Sequence, residues 1–486
     1  MKSIKKNFIW NAVLQVSSLV FPLITYPYVS RIIGSDGIGK TSFATSVITY
    51  FSIIAQLGVP TYGIRSCAQV SNDKDELSRT TQEILFIGCI TTIIAYICLG
   101  ISLHFVPRFQ EDKTLLIITS FQMAFNTIGM VWLFSGLEQY RYITIRSVIF
   151  KFVSLVLSFL LVRRKADYII YETILVIAIA GSNILNLFYS RKFIYFKRYP
   201  HYNLRRHIKP ILVFFSMSVA TTVYTSMDTI MLGFMTNNSE VGFYTSAIKV
   251  RSVLLGLINA LATVLLPRAS YYVKNGNKEE FIRISRKAFH FIVVVGFATW
   301  IYFSLFARES ILVLSGKEFL PAIAPMLWIM PTVLICGISN LTAIEMLVSL
   351  GKEKIVLYTQ ITGAVIDFLL NWFLIPYFGS SAAAAATMIA EVVIMLLQVR
   401  ALHQEGIYLK VDTKFWKIIM GLAVASVPMI WIKMLNLAPL VSLIMSFIVF
   451  SLIYALILML LKEPIMLEIL ENVKKIAKKV GINHAD

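Results

Sequence analysis

Several ionisable side chains stand where charge is expensive. Lys151, Lys249, Arg251, Asp228, Asp367 and Glu391 lie inside long apolar runs, and Arg31 and Arg65 end two such runs. A charge at mid-membrane costs ~2.5–3.5 kcal/mol on insertion scales, so each is a functional candidate. A cation there can receive an anion such as a phosphate. An acid can carry a coupling ion or neutralise a neighbouring cation. Helical spacing sorts them. Lys249 shares a stripe with Thr245, Ser246, Ser252, Gly256 and Asn259, the small polar face of a cavity wall. Arg251 points nearly the opposite way, among Ala247, Ile248, Leu254 and Leu255. Lys151 lies on a serine stripe, Ser147, Ser154 and Ser158, and is a second cavity cation. For Arg31 and Arg65, snorkelling to an interface competes equally with a cavity role. Asp367 shares its face with Gly363 and Asn371, and the acids can couple H+ or Na+ or balance charge.

One motif matches a nucleotide site letter for letter. Gly34-Ser35-Asp36-Gly37-Ile38-Gly39-Lys40-Thr41 satisfies the P-loop pattern. That chemistry needs a preceding strand and a soluble α/β core, whereas an apolar helix precedes it here. The expected role of these glycines is helix geometry, ending one helix and starting the next.

The elements that must position these residues follow from composition. The chain has 486 residues, 57% hydrophobic and 15% charged, where soluble domains carry about a quarter charged. Apolar runs of about 20 residues each suffice to cross ~30 Å of hydrocarbon as helices. Disorder, a disulfide scaffold and a soluble enzyme are excluded. About fourteen spans are expected, near 8–30, 41–62, 82–106, 114–136, 143–162, 168–189, 209–234, 241–265, 287–307, 322–348, 354–378, 381–402, 414–434 and 438–461. Phe8 to Ser30 is too long for a signal-peptide core and reads as an uncleaved first span. With both termini cytoplasmic, Lys and Arg favour the inner segments by about three to one. That bias explains the net charge of +19 without nucleic acid. The external run Arg163-Arg164-Lys165 runs against it. The cysteines Cys67, Cys89, Cys98 and Cys336 have no metal or disulfide spacing and read as small core residues.

An internal repeat sets the organisation. Ile38-Gly39-x-x-x-x-Ala44 recurs as Val241-Gly242-x-x-x-x-Ala247, and Arg65 as Arg268, at an offset of 203. Lys74-x-Glu76-Leu77-x-Arg79 recurs as Lys278-x-Glu280-Phe281-x-Arg283 at an offset of 204. Six spans per repeat is even, so the halves run parallel, related by an axis along the membrane normal. The expected domains are a lobe over 1–200, a second lobe over 201–405, and two further helices with a basic tail over 406–486. The basic run Arg191 to Lys209 is the linker between lobes. The fold class is all-α: two parallel six-helix lobes around a central cavity that opens to either side, plus two C-terminal helices. The repeat points to a transporter.

Pro22-x-x-x-x-Pro27-Tyr28-Val29-Ser30-Arg31-x-x-Gly34-x-x-Gly37-x-Gly39 and Gly63-Ile64-Arg65 resemble the opening of polysaccharide transporters. These are flippases of lipid-linked oligosaccharides in the multidrug, oligosaccharidyl-lipid and polysaccharide exporter superfamily. Asp228 with Leu232-Gly233, Val241-Gly242-x-Tyr244 and Thr263-Val264-Leu265-Leu266-Pro267-Arg268 resemble the start of that superfamily's second lobe. The resemblance covers the first twelve spans. It implies alternating access, and a substrate of undecaprenyl pyrophosphate carrying a sugar repeat unit, turned to the outer leaflet of a bacterial plasma membrane. It also implies no cofactor, no catalytic residues, contact with membrane lipids, and a polysaccharide polymerase as a partner. Lys249 resembles a basic position of murein-precursor flippases. A teichoic-acid or murein-precursor flippase and a drug–cation antiporter are the alternatives, although the first span lacks the acid of many such antiporters and the arginine-aspartate signature of murein-precursor flippases. A membrane-embedded glycosyltransferase would need a larger external loop than any here.

Overall fold

The computed structural model describes residues 4–409, 415–464 and 466–467. Helices α1 (Ile4–Gln56), α2 (Val59–Gln69), α3 (Lys74–Phe105), α4 (Lys113–Ile128), α5 (Tyr140–Leu161) and α6 (Tyr168–Ser190) fill the first repeat. Helices α7 (Arg205–Met235), α8 (Asn238–Lys274), α9 (Lys278–Leu305) and α10 (Glu353–Gln404) follow, with shorter helices between the last two. Helices α11 (Phe415–Met434) and α12 (Pro439–Leu460) end the described chain, and no strand occurs among the described residues. Lipid offers no partner to a backbone N–H or C=O, which leaves helices that bond internally as the spanning solution for this sequence.

Nine helices among the described residues are long and apolar enough to cross a membrane, or ten with Lys317–Ile329 and Thr332–Val348 taken as one bent span. Two of the nine are double. The helical run Lys6–Gln69 breaks at Gly34, and α10 breaks at Gly379. With α7 and α8 added, every expected span has a helix.

Contacts group the chain into two compact units. The first holds Met1–Thr245, Leu314–Phe319 and Asn371–Ser380; the second holds Ser246–Val313, Leu320–Leu370 and Ser381–Asp486. In the first, α1 packs on α3, α4, α5 and α7. In the second, α9 packs on the helix Thr332–Asn340 and on α11, and α11 pairs with α12.

The repeat is visible in local structure. Asp73 caps α3 by accepting from the N–H groups of Asp75 and Glu76, and Asn277 caps α9 by accepting from that of Glu280. One turn on, Arg79 pairs with Glu76 at 2.9 Å and Arg283 with Glu280 at 2.6 Å. A side-chain oxygen at this position satisfies N–H groups that no turn of helix reaches. Side chains of Asn259 and Arg268, and all of residues 468–486 including the basic tail, lie outside the described set.

Candidate functional site

Residues 34–41, the apparent P-loop, run through a helix break. After Gly34 the chain resumes as helix, and the Ser35 N–H donates to Glu318 at 2.8 Å. The same device follows Gly379, where the Ser380 N–H donates to Glu240 at 2.7 Å. A carboxylate at a fresh helix N-terminus is held by the free N–H groups and the dipole. Lys40 turns back to Asp36 at 3.1 Å and lies 5.0 Å over the Tyr168 ring. Gly39 and Gly242 serve a helix crossing. A Cβ on Gly39 would stand 1.7 Å from the Asn238 carbonyl oxygen, and one on Gly242 would stand 2.2 Å from that of Ser35. These are the same pair of positions under the 203-residue offset, so the motif recurs because the contact is two-fold. Small residues let backbones approach this closely.

The run Arg163-Arg164-Lys165, which opposed the charge bias, has partners. Lys165 pairs with Glu318 at 2.9 Å, and the N–H groups of Arg163 and Arg164 both donate to Asp167 at 2.8 Å. Arg108, from the segment before α4, donates to Gly233 O at 2.9 Å and also binds Asn238 and Glu111.

Lys151 sits on α5 with Ser154 and Ser158 buried beside it, while Phe152 and Val153 face outward. Its ammonium donates to Ser18 Oγ at 2.7 Å and Ser17 Oγ at 3.2 Å, both on α1. Among the described residues, no carboxylate lies within ion-pair reach of it. Arg31 is exposed and donates to the Pro27 carbonyl of its own helix, and Arg65 is exposed on α2. Asp228, on α7, is 7% exposed and accepts from the Tyr244 hydroxyl and from Asn371 Nδ2 at 2.7 Å.

In the second unit, Lys249 is half-buried on α8. Arg251 has polar company that its apolar sequence neighbours do not reveal. It pairs with Glu391 at 3.7 Å and donates to Cys336 Sγ at 3.1 Å. The Glu391 carboxylate thus stands within ion-pair distance of the Arg251 guanidinium. Asp367 is 1% exposed on α10. The four cysteines are free thiols.

Sequence reasoning missed several groups. Arg146 is buried within the fifth span, donates to the Ser182 carbonyl at 3.2 Å and lies over the Tyr142 ring. A plain count of charges between span boundaries finds it. Glu172 is buried on α6 beside Gln122, and Glu345 is 2% exposed in the π-helical stretch Leu341–Val348. Single-turn π insertions in helices often mark functional sites.

An extended polar cluster joins α3 to the basic run at 191–209, the expected linker. Glu83, fully buried, accepts from the Asn203 N–H at 2.7 Å and from Arg206 Nη2 at 2.6 Å, with His207 Nε2 2.7 Å away. The other ring nitrogen of His207 lies 2.6 Å from the Tyr62 hydroxyl. Arg206 also reaches Glu76 at 3.0 Å and Thr80 at 3.1 Å. Gln82 donates to the carbonyls of Tyr195 and Lys197, and the Tyr202 hydroxyl donates back to Gln82. The basic run is thus bolted along two turns of helix. A hydrogen bond to the Asp75 carboxylate holds the Lys197 ammonium above its usual range.

These features define a multi-span membrane protein whose helices carry both paired and hydroxyl-held cations, and solved structures share its fold. The lipid II flippase MurJ, in an inward closed conformation, matches with a TM-score of 0.71 over 93% of this chain and 97% of that one, at 14% identity. An inward-facing multidrug resistance MATE family transporter of the MOP superfamily matches with a TM-score of 0.64 over 80% and 94%, also at 14% identity. At such identity the likeness is one of fold. Sequence goes further: the polysaccharide biosynthesis protein family matches residues 4–273, more than half the chain, and the chain belongs to that family. Two relatives named "Putative O-antigen transporter", from Escherichia coli (strain K12) and Shigella dysenteriae, are 25% and 24% identical over 405 residues. The alignments cover 82% of this chain and 97% and 99% of theirs.

Proposed function

We propose that the protein is a transporter, with no covalent chemistry, that turns undecaprenyl-pyrophosphate-linked oligosaccharide repeat units from the inner to the outer leaflet of a bacterial plasma membrane. The product would feed capsule, O-antigen or exopolysaccharide assembly, with a polysaccharide polymerase as the next partner. Family membership and the names of the relatives support the class. The observation that carries the chemistry is Lys151, a cation inside the helical layer held by two serine hydroxyls and by no carboxylate among the described residues. Even a half-buried cation with no internal counter-charge carries a desolvation cost. It is accounted for if an anionic headgroup spends part of the cycle against it.

Lys249, on its polar stripe, is the cavity cation of the second lobe, at a position that is not the repeat equivalent of Lys151, with Arg31 and Arg65 as flanking charges. Arg251 has Glu391 and is the least suited of the set to a substrate. The lobes are 1–200 and 201–405, both termini are cytoplasmic, and access alternates. A pyrophosphate of charge near −2 moving outward gains at most ~4.6 kcal/mol per 100 mV from an inside-negative potential, at ~2.3 per charge. H+ or Na+ movement through Asp228 or Asp367 adds to that.

The test is complementation of a deletion strain at native expression. Lys151→Ala and Lys249→Ala should each lower surface polysaccharide and accumulate the lipid-linked unit while the protein stays in the membrane. The arginine replacements should retain partial activity, because charge matters here more than a bidentate fork. Full complementation by the double alanine mutant overturns the headgroup assignment.

A further inference from the structure

The linker and α3 enclose a groove that the transport reading leaves unused. A 480 Å³ pocket lies between them, with Leu85, Phe86 and Phe196 as its apolar wall and Lys197 and Arg198 at its rim. Below it on α3 runs an exposed stripe of Phe86, Ile90, Ile93, Ile97 and Ile101. Spacings of three and four residues keep these side chains on one face.

The second repeat shows what such a groove takes. At the 204-residue offset, Gln82, Phe86 and Ile90 correspond to Arg286, His290 and Val294. The chain leaving each repeat docks at the same place: Gln82 donates to Tyr195 O at 2.8 Å, and Arg286 Nε donates to Tyr408 O at 3.3 Å. The face beyond differs. Phe86 and Ile90 are 45% and 53% exposed, whereas His290 and Val294 are each 1% exposed. They are covered by the last described segment, with the Tyr454 hydroxyl donating to Val294 O at 3.1 Å and the Glu463 carboxylate on His290. In the second repeat an apolar rod with an anionic end fills the groove. In the first, the groove is open, and its rim carries cations at the cytoplasmic level.

We propose that the groove of the first repeat binds one anionic phospholipid of the cytoplasmic leaflet, its phosphate on Arg198 and Lys197 and an acyl chain along Phe86, Ile90, Ile93 and Ile97. Basic pockets at this level of a membrane protein collect anionic lipids, each cation contributing through the surface potential. Arg198 is exposed, and Lys197 shares its charge with Asp75, so Arg198 is the main anchor. The lipid would brace the linker whose other face Glu83 holds. The inference needs only the cytoplasmic placement of the linker, and it stands apart from the transported substrate.

Native mass spectrometry of the full chain in detergent, titrated with phosphatidylglycerol or phosphatidylcholine, tests it. One phosphatidylglycerol should be retained in preference to phosphatidylcholine, and inorganic phosphate should not displace it. Arg198→Gln, at an exposed site, should weaken retention about fivefold at unchanged melting temperature. A benzoylphenylalanine at Ile94, exposed on α3 one turn from both Ile90 and Ile97, should give an adduct of phospholipid mass in membranes. Equal retention of both lipids, undiminished retention in Arg198→Gln, displacement by free phosphate, or an Ile94 adduct with a second copy or another protein's helix each overturns the proposal.

Discussion

Replacing Glu83 tests whether the linker is a structural part of the first repeat or a passive tether. Its carboxylate is fully buried and serves the Asn203 N–H, Arg206 and His207 together. In Glu83→Ala the Asn203 N–H loses its acceptor, and the buried imidazole keeps Tyr62 on its other side. Breaking one side of a buried pair costs ~3–5 kcal/mol. Arg206 is 32% exposed and retains Glu76, so the lower end applies, about 3 kcal/mol. At about 2 °C per kcal/mol for a unit of this size, melting in detergent should fall by roughly 6 °C. Glu83→Gln, which can still accept from Asn203, should lose about half as much. Limited trypsin digestion should cut the alanine variant faster at Arg191, Lys192 and Arg198. A melting temperature within about 1 °C of the parent, with unchanged cleavage, refutes the reasoning.

Arg251→Ala leaves Glu391 buried beside Cys336 without that guanidinium and should destabilise by about 3–5 kcal/mol, while adding Glu391→Gln should recover part of the loss in a double-mutant cycle read by thermal melting. Gly39→Ala and Gly242→Ala press a methyl group onto opposite sides of one crossing, and each should cost about 1–3 kcal/mol by the same measurement; a neutral result at either position contradicts the shared contact. Lys40→Ala removes an i,i+4 pair with Asp36 and a cation–π contact with Tyr168, and should change stability by no more than about 1 kcal/mol and leave complementation intact; saturable ATP binding that this variant abolishes would restore the P-loop reading.

Hydropathy alone placed the helices because a spanning segment must satisfy its own backbone, and that requirement is local in sequence. The repeat was equally legible: the caps at Asp73 and Asn277 and the Glu76–Arg79 and Glu280–Arg283 pairs lie within one or two turns of their motifs. Spacing also put Lys151 on the protein-facing stripe with Ser154 and Ser158. Periodicity names the face a residue occupies but not what stands opposite it. Arg251 looked apolar in its surroundings because Glu391, 140 positions away, is invisible on its own helix. Lys165 looked misplaced until Glu318 was brought to it, and the basic run read only as a linker, with nothing to show that Glu83 and Gln82 fasten it to α3. Gly39 and Gly242, matched by sequence, were expected to shape helix ends, and only the folded chain shows the backbone of each against a carbonyl from the other's segment. Charge balance, docking of a linker and helix crossings are contacts between distant segments, and packing of the folded chain decides them.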